Sequence, residues 1–404
     1  MPTFNYKARD ASGKKVAGTM ESATKAEFID KLHKMGYMTT SVSQVSSGIQ
    51  IDSVLDRFKW VSSDDMLLFY VQLSNMISAG ITILMSLSTL ARQIENKNLK
   101  DAVGNVARQV EGGSTLSQAF ATEPRMFKRL FINMIKAGEA SGNLDTVLMR
   151  YANFFEKEVD LKQKISGALF YPIILLFAGV VVMLIVVTFV IPQFAVIYLK
   201  AGIKLPTTTL IVYKVGMAIE HYWYLLAAAV VAVLGVMRYY FRTDKGAFLL
   251  DRLKLKLPIV GPLYRKVAIT RFARTLATLL GSGVGILESL DIVKEVVGNE
   301  VLARVIAATR KGVEKGERMS ETLKISEEFP PDVVQMISVG EETGSVDKML
   351  EKTADFYDMT VNYAVKKLTA VIEPVFLVVM GAMVGFIMAS MLLPMFDMVK
   401  TLRN

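Results

Sequence analysis

The residues best placed to do chemistry in this chain occur twice. Gly138 to Asp145 reads GEASGNLD and Gly340 to Asp347 reads GEETGSVD, a shared pattern G-E-x-[ST]-G-x-[LV]-D. Gly138 and Gly142, or Gly340 and Gly344, can make a tight turn, and Asp145 and Asp347 complement the start of the next helix. Glu139 and Glu341 have two readings. Each can accept backbone N–H groups freed near the turn, or the two can form an acidic surface for a divalent cation or a partner. Other chemistries find few residues. The chain has no cysteine, which excludes a thiolate zinc site, an iron–sulfur cluster and a cysteine nucleophile. His33 and His221 are its only histidines, too few for a histidine metal cluster and a poor basis for a Ser-His-Asp relay. No G-x-x-x-x-G-K-[ST] occurs, so no Walker loop holds a nucleotide. The glycines of Gly281 to Gly285 pair with Ser78 to Thr82 in an earlier stretch and read as a helix–helix turn. The residues call for no cofactor and no metal beyond the Glu139 and Glu341 alternative.

The elements that position these residues belong to a membrane protein. Of 404 residues, 52% are hydrophobic and 21% charged, with a mean hydropathy of +0.37, a balance that excludes disorder and points to membrane segments. The opening, Met1 to Asp10, lacks the pattern of a cleavable signal, so the N-terminus is expected in the cytoplasm. Residues 168–192 and Pro374 to Phe396 carry no charge and are long enough for a hydrocarbon core of about 30 Å. A third span is expected over 222–241, flanked by Tyr222, Trp223 and Tyr224 at one end and Tyr239 to Phe241 at the other. Met66 to Ala91 is also uncharged, but its serines, threonines, Gln72, Asn75 and the Ala79-Gly80 break predict two short soluble helices. Lysines and arginines crowd Arg238 to Arg274 against only Asp244 and Asp251, which makes this flank cytoplasmic. Residues 193–221 are then an outer loop. The net charge of +9 follows from such flanks and implies no nucleic-acid partner. The spans lack midplane charge, which weighs against a transporter or channel subunit, the alternative reading of three spans. Glu373, at the entrance to the last span, reads as a headgroup-level carboxylate. Pro172, Pro192, Pro374 and Pro394 bracket the first and last spans, either as boundaries or as hinges.

The chain is written twice. At an offset of 203, Phe69, Leu73, Gly80, Ile83, Leu84, Ser86 and Leu87 match Phe272, Leu276, Gly283, Ile286, Leu287, Ser289 and Leu290. At 202, the two acidic turns coincide, and Pro172 and Pro192 fall on Pro374 and Pro394. Each unit is a helical bundle followed by a span, and the unpaired middle helix returns the second bundle to the side of the first. Turn signals divide each bundle into five or six helices. Ahead of them, the alternation of Phe4, Tyr6 and Ala8, a turn at Asp10 to Gly13, a capping box from Thr24 to Glu27 and a stop at Gly36 predict a small ββαβ domain. The expected architecture is an all-α integral membrane protein with two repeated cytoplasmic bundles, three transmembrane helices and this α/β domain. Its segments are 1–48, a linker at 49–63, bundle one at 64–167, a span at 168–192, the outer loop at 193–221, a span at 222–241, a basic connector with bundle two at 242–370, a span at 371–396 and a tail at 397–404.

GEASGNLD and GEETGSVD, a span led by Tyr171-Pro172, another led by Glu373-Pro374 and closed by LLPMF, and the opening YKARDASGKKVAGTMESATKAEF together resemble the type II secretion system F domain family. The resemblance covers nearly the whole chain. It implies an inner-membrane platform of a type IV pilus or type II secretion machine, a scaffold without enzymatic activity. It further implies coupling of a hexameric cytoplasmic assembly or retraction ATPase to insertion or extraction of pilin or pseudopilin. Other inner-membrane assembly proteins, membrane lipid and further copies of the chain are the remaining partners it implies. The location implied is the bacterial cytoplasmic membrane, N-terminus inside and C-terminus in the periplasm.

Overall fold

In a computed structural model the described residues are 3–9, 15–22, 25–44, 60–200, 207–258 and 260–403. The expected turn at Asp10 to Gly13, Thr24 of the capping box and most of the 49–63 linker lie outside them. At the start of the chain, β1 (Thr3–Arg9) pairs antiparallel with β2 (Lys15–Glu21) and with β3 (Met38–Gln44), giving the order β2-β1-β3. The helix α1 (Lys25–Lys34) precedes β3 and sets Phe28 and Leu32 four residues apart, hence on one face. Both are fully buried, with Met20 and Tyr37 packed against them.

The first bundle consists of α2 (Ser63–Ser78), α3 (Ile83–Gln93), α4 (Lys97–Glu111), α5 (Leu116–Ala121), α6 (Arg129–Ser141) and the start of α7 (Leu144–Ile185). Short polar side chains open most of these helices. Ser62 and Asp65 form a reciprocal capping box, Thr82 accepts from the Met85 N–H, and Asn96 accepts from Asn98 and Leu99. The uncharged Met66 to Ala91 stretch therefore divides into α2 and α3, with Phe69, Tyr70, Leu73, Leu87 and Leu90 facing the core. The second bundle follows α9 (Thr207–Tyr240) and α10 (Asp244–Lys256) as α11 (Val260–Gly281), α12 (Ile286–Val296), α13 (Glu300–Glu314), α14 (Met319–Ile325), α15 (Pro331–Thr343) and the start of α16 (Val346–Arg403).

The helix starts keep the register read from the sequence. Ile83 and Ile286, Lys97 and Glu300, and Leu116 and Met319 lie 203 apart, whereas Arg129 and Pro331, and Leu144 and Val346, lie 202 apart. The second bundle has lost one residue between α14 and α15. Within that shortened connection Glu327 takes φ 55, the only positive φ outside glycine among the described residues. Phe127 and Phe329, 202 apart, remain buried at corresponding places just after the loss. The two bundles share one continuous hydrophobic core, which contains Leu73, Phe131 and Tyr151 from the first and Leu276, Ile306 and Ile337 from the second.

Among the described residues three helices are long and apolar enough to cross a membrane: Leu144–Gln193, Leu210–Tyr240 and Val346–Phe386. Here the structure departs from the expected segments. The boundaries at 167/168 and 370/371 fall inside single helices, because nothing at the end of either bundle interrupts the ladder; α7 runs for 42 residues and α16 for 58. A helix so placed buries one side in the bundle and continues as an apolar rod. The 193–221 outer loop is largely helical too. After a π-turn at Val186–Val190, α8 (Ile191–Lys200) continues the first span, and α9 (Thr207–Tyr240) begins well before Tyr222. The apolar residues from Leu210 to Met217 extend the second span toward the N-terminus. Tyr222, with φ −113 and ψ 16, marks a kink inside it. Residues 397–403 of the expected tail also remain in α16. The basic connector contains α10 (Asp244–Lys256), started by Thr243, whose hydroxyl accepts from the Gly246 N–H at 3.2 Å.

Candidate functional site

The duplicated turn is built alike in both bundles. Gly142 and Gly344 end α6 and α15 in the left-handed region, φ 72 and 65, where a Cβ is strained. Beyond them, Asn143 N–H bonds Gly138 O at 3.1 Å and Ser345 N–H bonds Gly340 O at 2.8 Å, so the orphan carbonyls of each helix end are satisfied. Gly138 and Gly340 lie inside the helices for a different reason. A Cβ on Gly138 would meet Val147 at 3.2 Å, and one on Gly340 would meet the Val346 Cα at 2.8 Å. Only a bare Cα lets the following helix cross this closely. Asp145 and Asp347 sit in the first turns of α7 and α16, at the favourable end of the dipole.

Glu139 turns back to the short helix α5. Its Oε1 accepts from Leu116 N–H at 2.5 Å, and its Oε2 accepts from the Ser117 hydroxyl at 2.5 Å and the Ser117 N–H at 3.3 Å. Glu341 does the same for α14, accepting from Met319 N–H at 2.6 Å, Ser320 N–H at 3.2 Å and the Ser320 hydroxyl at 2.5 Å. Each carboxylate thus fills the anion-favouring start of a neighbouring helix and ties two helices together. With both oxygens occupied this way, the geometry favours capping over the acidic-surface reading, and no three His, Asp or Glu converge among the described residues.

The two copies differ at the cap itself. In the first, Thr115 and Gln118 add a reciprocal capping box to Glu139. In the second, the cap residue is Arg318, which makes no side-chain cap bond and instead lies 3.6 Å from Glu342.

Between the bundles runs a seam that the turn motif did not reveal. On the second bundle's side of it, Arg274 of α11 bonds Asp355 at 2.9 Å and also pairs with Asp358, both on the bundle's own α16, with 13% of the arginine side chain exposed. Arg150 and Lys157 of α7 face the same cleft, a space of about 330 Å³. Arg271 Nε and Thr275 Oγ1 are buried beside it without a hydrogen-bond partner among the described residues. Across the other flank, Arg129 of the first bundle bonds Glu295 of the second at 2.7 Å. A visible signal existed: Arg274 falls 203 residues from Val71, a charge where the first copy is apolar.

All four prolines lie within helices. Pro172 lies inside α7, Pro374 and Pro394 lie inside α16, and Pro192 is the second residue of α8. In a membrane such prolines are tolerated because neighbouring groups or local widening of the helix accommodate the freed carbonyl. The π-turn at Val186–Val190 is such a widening next to Pro192, and Gly216 of α9 packs directly against its Val187 carbonyl. Glu373 is exposed on α16 beside Pro374. Within the membrane stretch, Gly179 of α7 packs against the third span, its missing Cβ leaving room for Met380 and Phe376.

Comparison with known proteins matches these repeats closely. The family model "Type II secretion system (T2SS), protein F" matches residues 69–192 and again 272–394, and "Type II secretion system protein F, N-terminal domain" matches 1–43. A type IV pilus assembly protein PilC of Thermus thermophilus is 39% identical over 406 residues, covering 100% of this chain and 99% of its own. PilC of Myxococcus xanthus is 35% identical over 395 residues, with 98% and 94% covered. A type II secretion system protein F of Xanthomonas campestris is 33% identical over 406 residues, with 100% of each chain covered.

Proposed function

The chain belongs to the type II secretion system protein F family, whose members are inner-membrane platform proteins of type IV pilus and type II secretion systems, and on that premise we propose that it relays motion from a cytoplasmic motor to pilin subunits. The fused bundles face the cytoplasm, where a hexameric assembly or retraction ATPase engages them, and the spans guide insertion or extraction of pilin or pseudopilin. The N-terminus lies in the cytoplasm and the C-terminus in the periplasm, in line with the basic Arg238 to Arg274 flank. The leading strands and α1 form a small ββαβ domain of their own. Further copies of the chain and other inner-membrane assembly proteins complete the platform. The chain contributes no catalysis. Transient nucleotide chemistry belongs to the motor.

One observation carries this reading. The last helix of each bundle and the span after it are a single rod, α7 or α16, so a displacement of the bundles reaches the membrane without passing through a loop. Pro172 and Pro374, 202 residues apart in the two rods, are the hinges at which the rods flex. The Arg129–Glu295 pair and the core shared by both bundles support the two bundles moving as one body. The experiment is a Pro172→Ala/Pro374→Ala double variant in cells, with its membrane level matched to wild type and assembled pili or exported substrate counted. Assembly should fall sharply. Wild-type assembly overturns the hinge, and nucleotide turnover by the purified chain overturns the non-catalytic role.

A further inference from the structure

Where α11 meets α16, on the approach to the third span, a groove of about 450 Å³ opens between the two helices. Its floor is apolar. Leu263 is buried there with Val361 and Val365, and Leu368 packs against them. Its rim is cationic, with Lys266 from α11 and Lys367 from α16, and no acidic residue lines it. Neither lysine has a salt-bridge partner among the described residues. Tyr363, 73% exposed, stands one helical turn before Lys367 on the same side of α16.

The position along the rod fixes the depth. Lys367 precedes Pro374 by seven residues, about 10 Å of helix, which sets its ammonium at the level of lipid headgroups while Leu368 and Val371 lead toward the acyl chains. A phosphate between two lysines, an aromatic ring beside it and an apolar track running into the bilayer match one ligand chemistry. We propose that this groove holds one anionic glycerophospholipid of the leaflet next to the bundles, its phosphate between Lys266 and Lys367 and an acyl chain along Leu368 and Val371.

The first repeat explains why the site is single. The residues corresponding to Lys266 and Lys367 are Ser63 and Ile165. There Lys162 bonds the Ser63 hydroxyl at 3.4 Å, Gln163 bonds Asp64 at 2.9 Å, and Asp64 and Asp65 occupy the first turn of α2. That end is closed and acidic, so an anion would be repelled. The second repeat instead extends its helix back to Val260 and leaves the lysines free.

The proposal holds whether or not the bundles relay force, and binding tests it directly. The full chain in neutral detergent is titrated with phosphatidylglycerol, with phosphatidylcholine and with inorganic phosphate, while bound lipid is counted by native mass spectrometry. Wild type should retain one phosphatidylglycerol, unaffected by inorganic phosphate, and no phosphatidylcholine. In K266Q/K367Q the affinity should drop about 30-fold, given the contribution of two lysines near a charged surface. K311Q/K315Q, which removes the same charge outside the groove, should bind like wild type. Folding of each variant is checked by its helical circular dichroism. Equal retention of phosphatidylcholine, competition by inorganic phosphate, equal loss in K311Q/K315Q, or wild-type binding by a folded K266Q/K367Q would each overturn the assignment.

Discussion

Six helix positions coincide between the two bundles, yet they are filled by different kinds of side chain. In the first, Tyr70, Phe120, Phe131 and Tyr151 form a connected set of rings, with Phe69, Phe127 and Phe155 joining it. Their counterparts in the second are Ala273, Leu323, Val333 and Thr353. Among the described residues the ring pairs there are Phe272–Phe329 at 4.8 Å and Phe356–Tyr357 at 5.6 Å, and they do not join into one set. What stays constant is the acidic turn with its glycines and the glutamate bonded to a neighbouring helix start. Backbone closeness and satisfied N–H groups are therefore the common frame, and core volume is matched separately in each copy. Interiors tolerate such exchange as long as total volume and pattern are kept.

The sharpest way to break that comparison is to empty the same place in both copies. Phe131 is fully buried against Tyr70, Phe120 and Tyr151. Phe131→Ala should destabilise by about 3–5 kcal/mol, since rigid rings on all sides cannot close around the space. Val333→Ala removes far less volume at the corresponding site and should cost clearly less. Thermal unfolding of both variants in detergent, followed by circular dichroism, measures the difference. Equal losses would show that the ring cluster is no tighter than its aliphatic counterpart.

Much of this frame was legible beforehand. Turn glycines, helix starts and the change of register from 203 to 202 all follow from local rules of capping and punctuation, which a sequence displays directly. The backbone-accepting role of Glu139 and Glu341 was one of two readings, and the bonds to residues 116, 117, 319 and 320 favour it. The boundaries at 167/168 and 370/371 fall inside helices because a hydropathy run marks where lipid begins and says nothing about where a helix begins. For the same reason 193–221 reads as a loop: its lysines mark it as polar, yet Lys200 and Lys214 lie within helices. Arg274 was missed as a seam residue because its carboxylate partners lie 81 and 84 residues away on another element.

A smaller effect separates the two caps. Glu341 alone caps α14, whereas α5 is held by Glu139 together with Thr115 and Gln118. Glu341→Gln should therefore cost about 1–2 kcal/mol and Glu139→Gln less, since a charged acceptor is lost in each but a second cap remains in only one. Adding Thr115→Ala to Glu139→Gln should bring the first copy to the level of the second. If the two single variants unfold alike, the extra capping box contributes nothing measurable.

The smallest expected effect at neutral pH, and the one that reverses with pH, concerns Tyr70. Burial pushes its phenol well above the usual value of 10.0, with the nearby Tyr151 adding to the shift, and the second copy has Ala273 in its place. A folded-state pKa above the unfolded one means that the protonated phenol stabilises the fold fully below about pH 10, and that this contribution is lost as pH rises past it toward the folded value. Tyr70→Phe removes a buried hydroxyl from beside Tyr151, whose ring lies 4.7 Å away, so near pH 7 it should lower stability by about 1 kcal/mol. Above about pH 10 the order should invert, because the unfolded wild-type chain gains a proton-release site that the phenylalanine variant lacks. Thermal midpoints of the two proteins across that range should cross. Parallel curves would mean that the ring cluster of the first bundle opens to solvent before Tyr70 ionises, and that its rings are packed no more rigidly than the aliphatic core beside them.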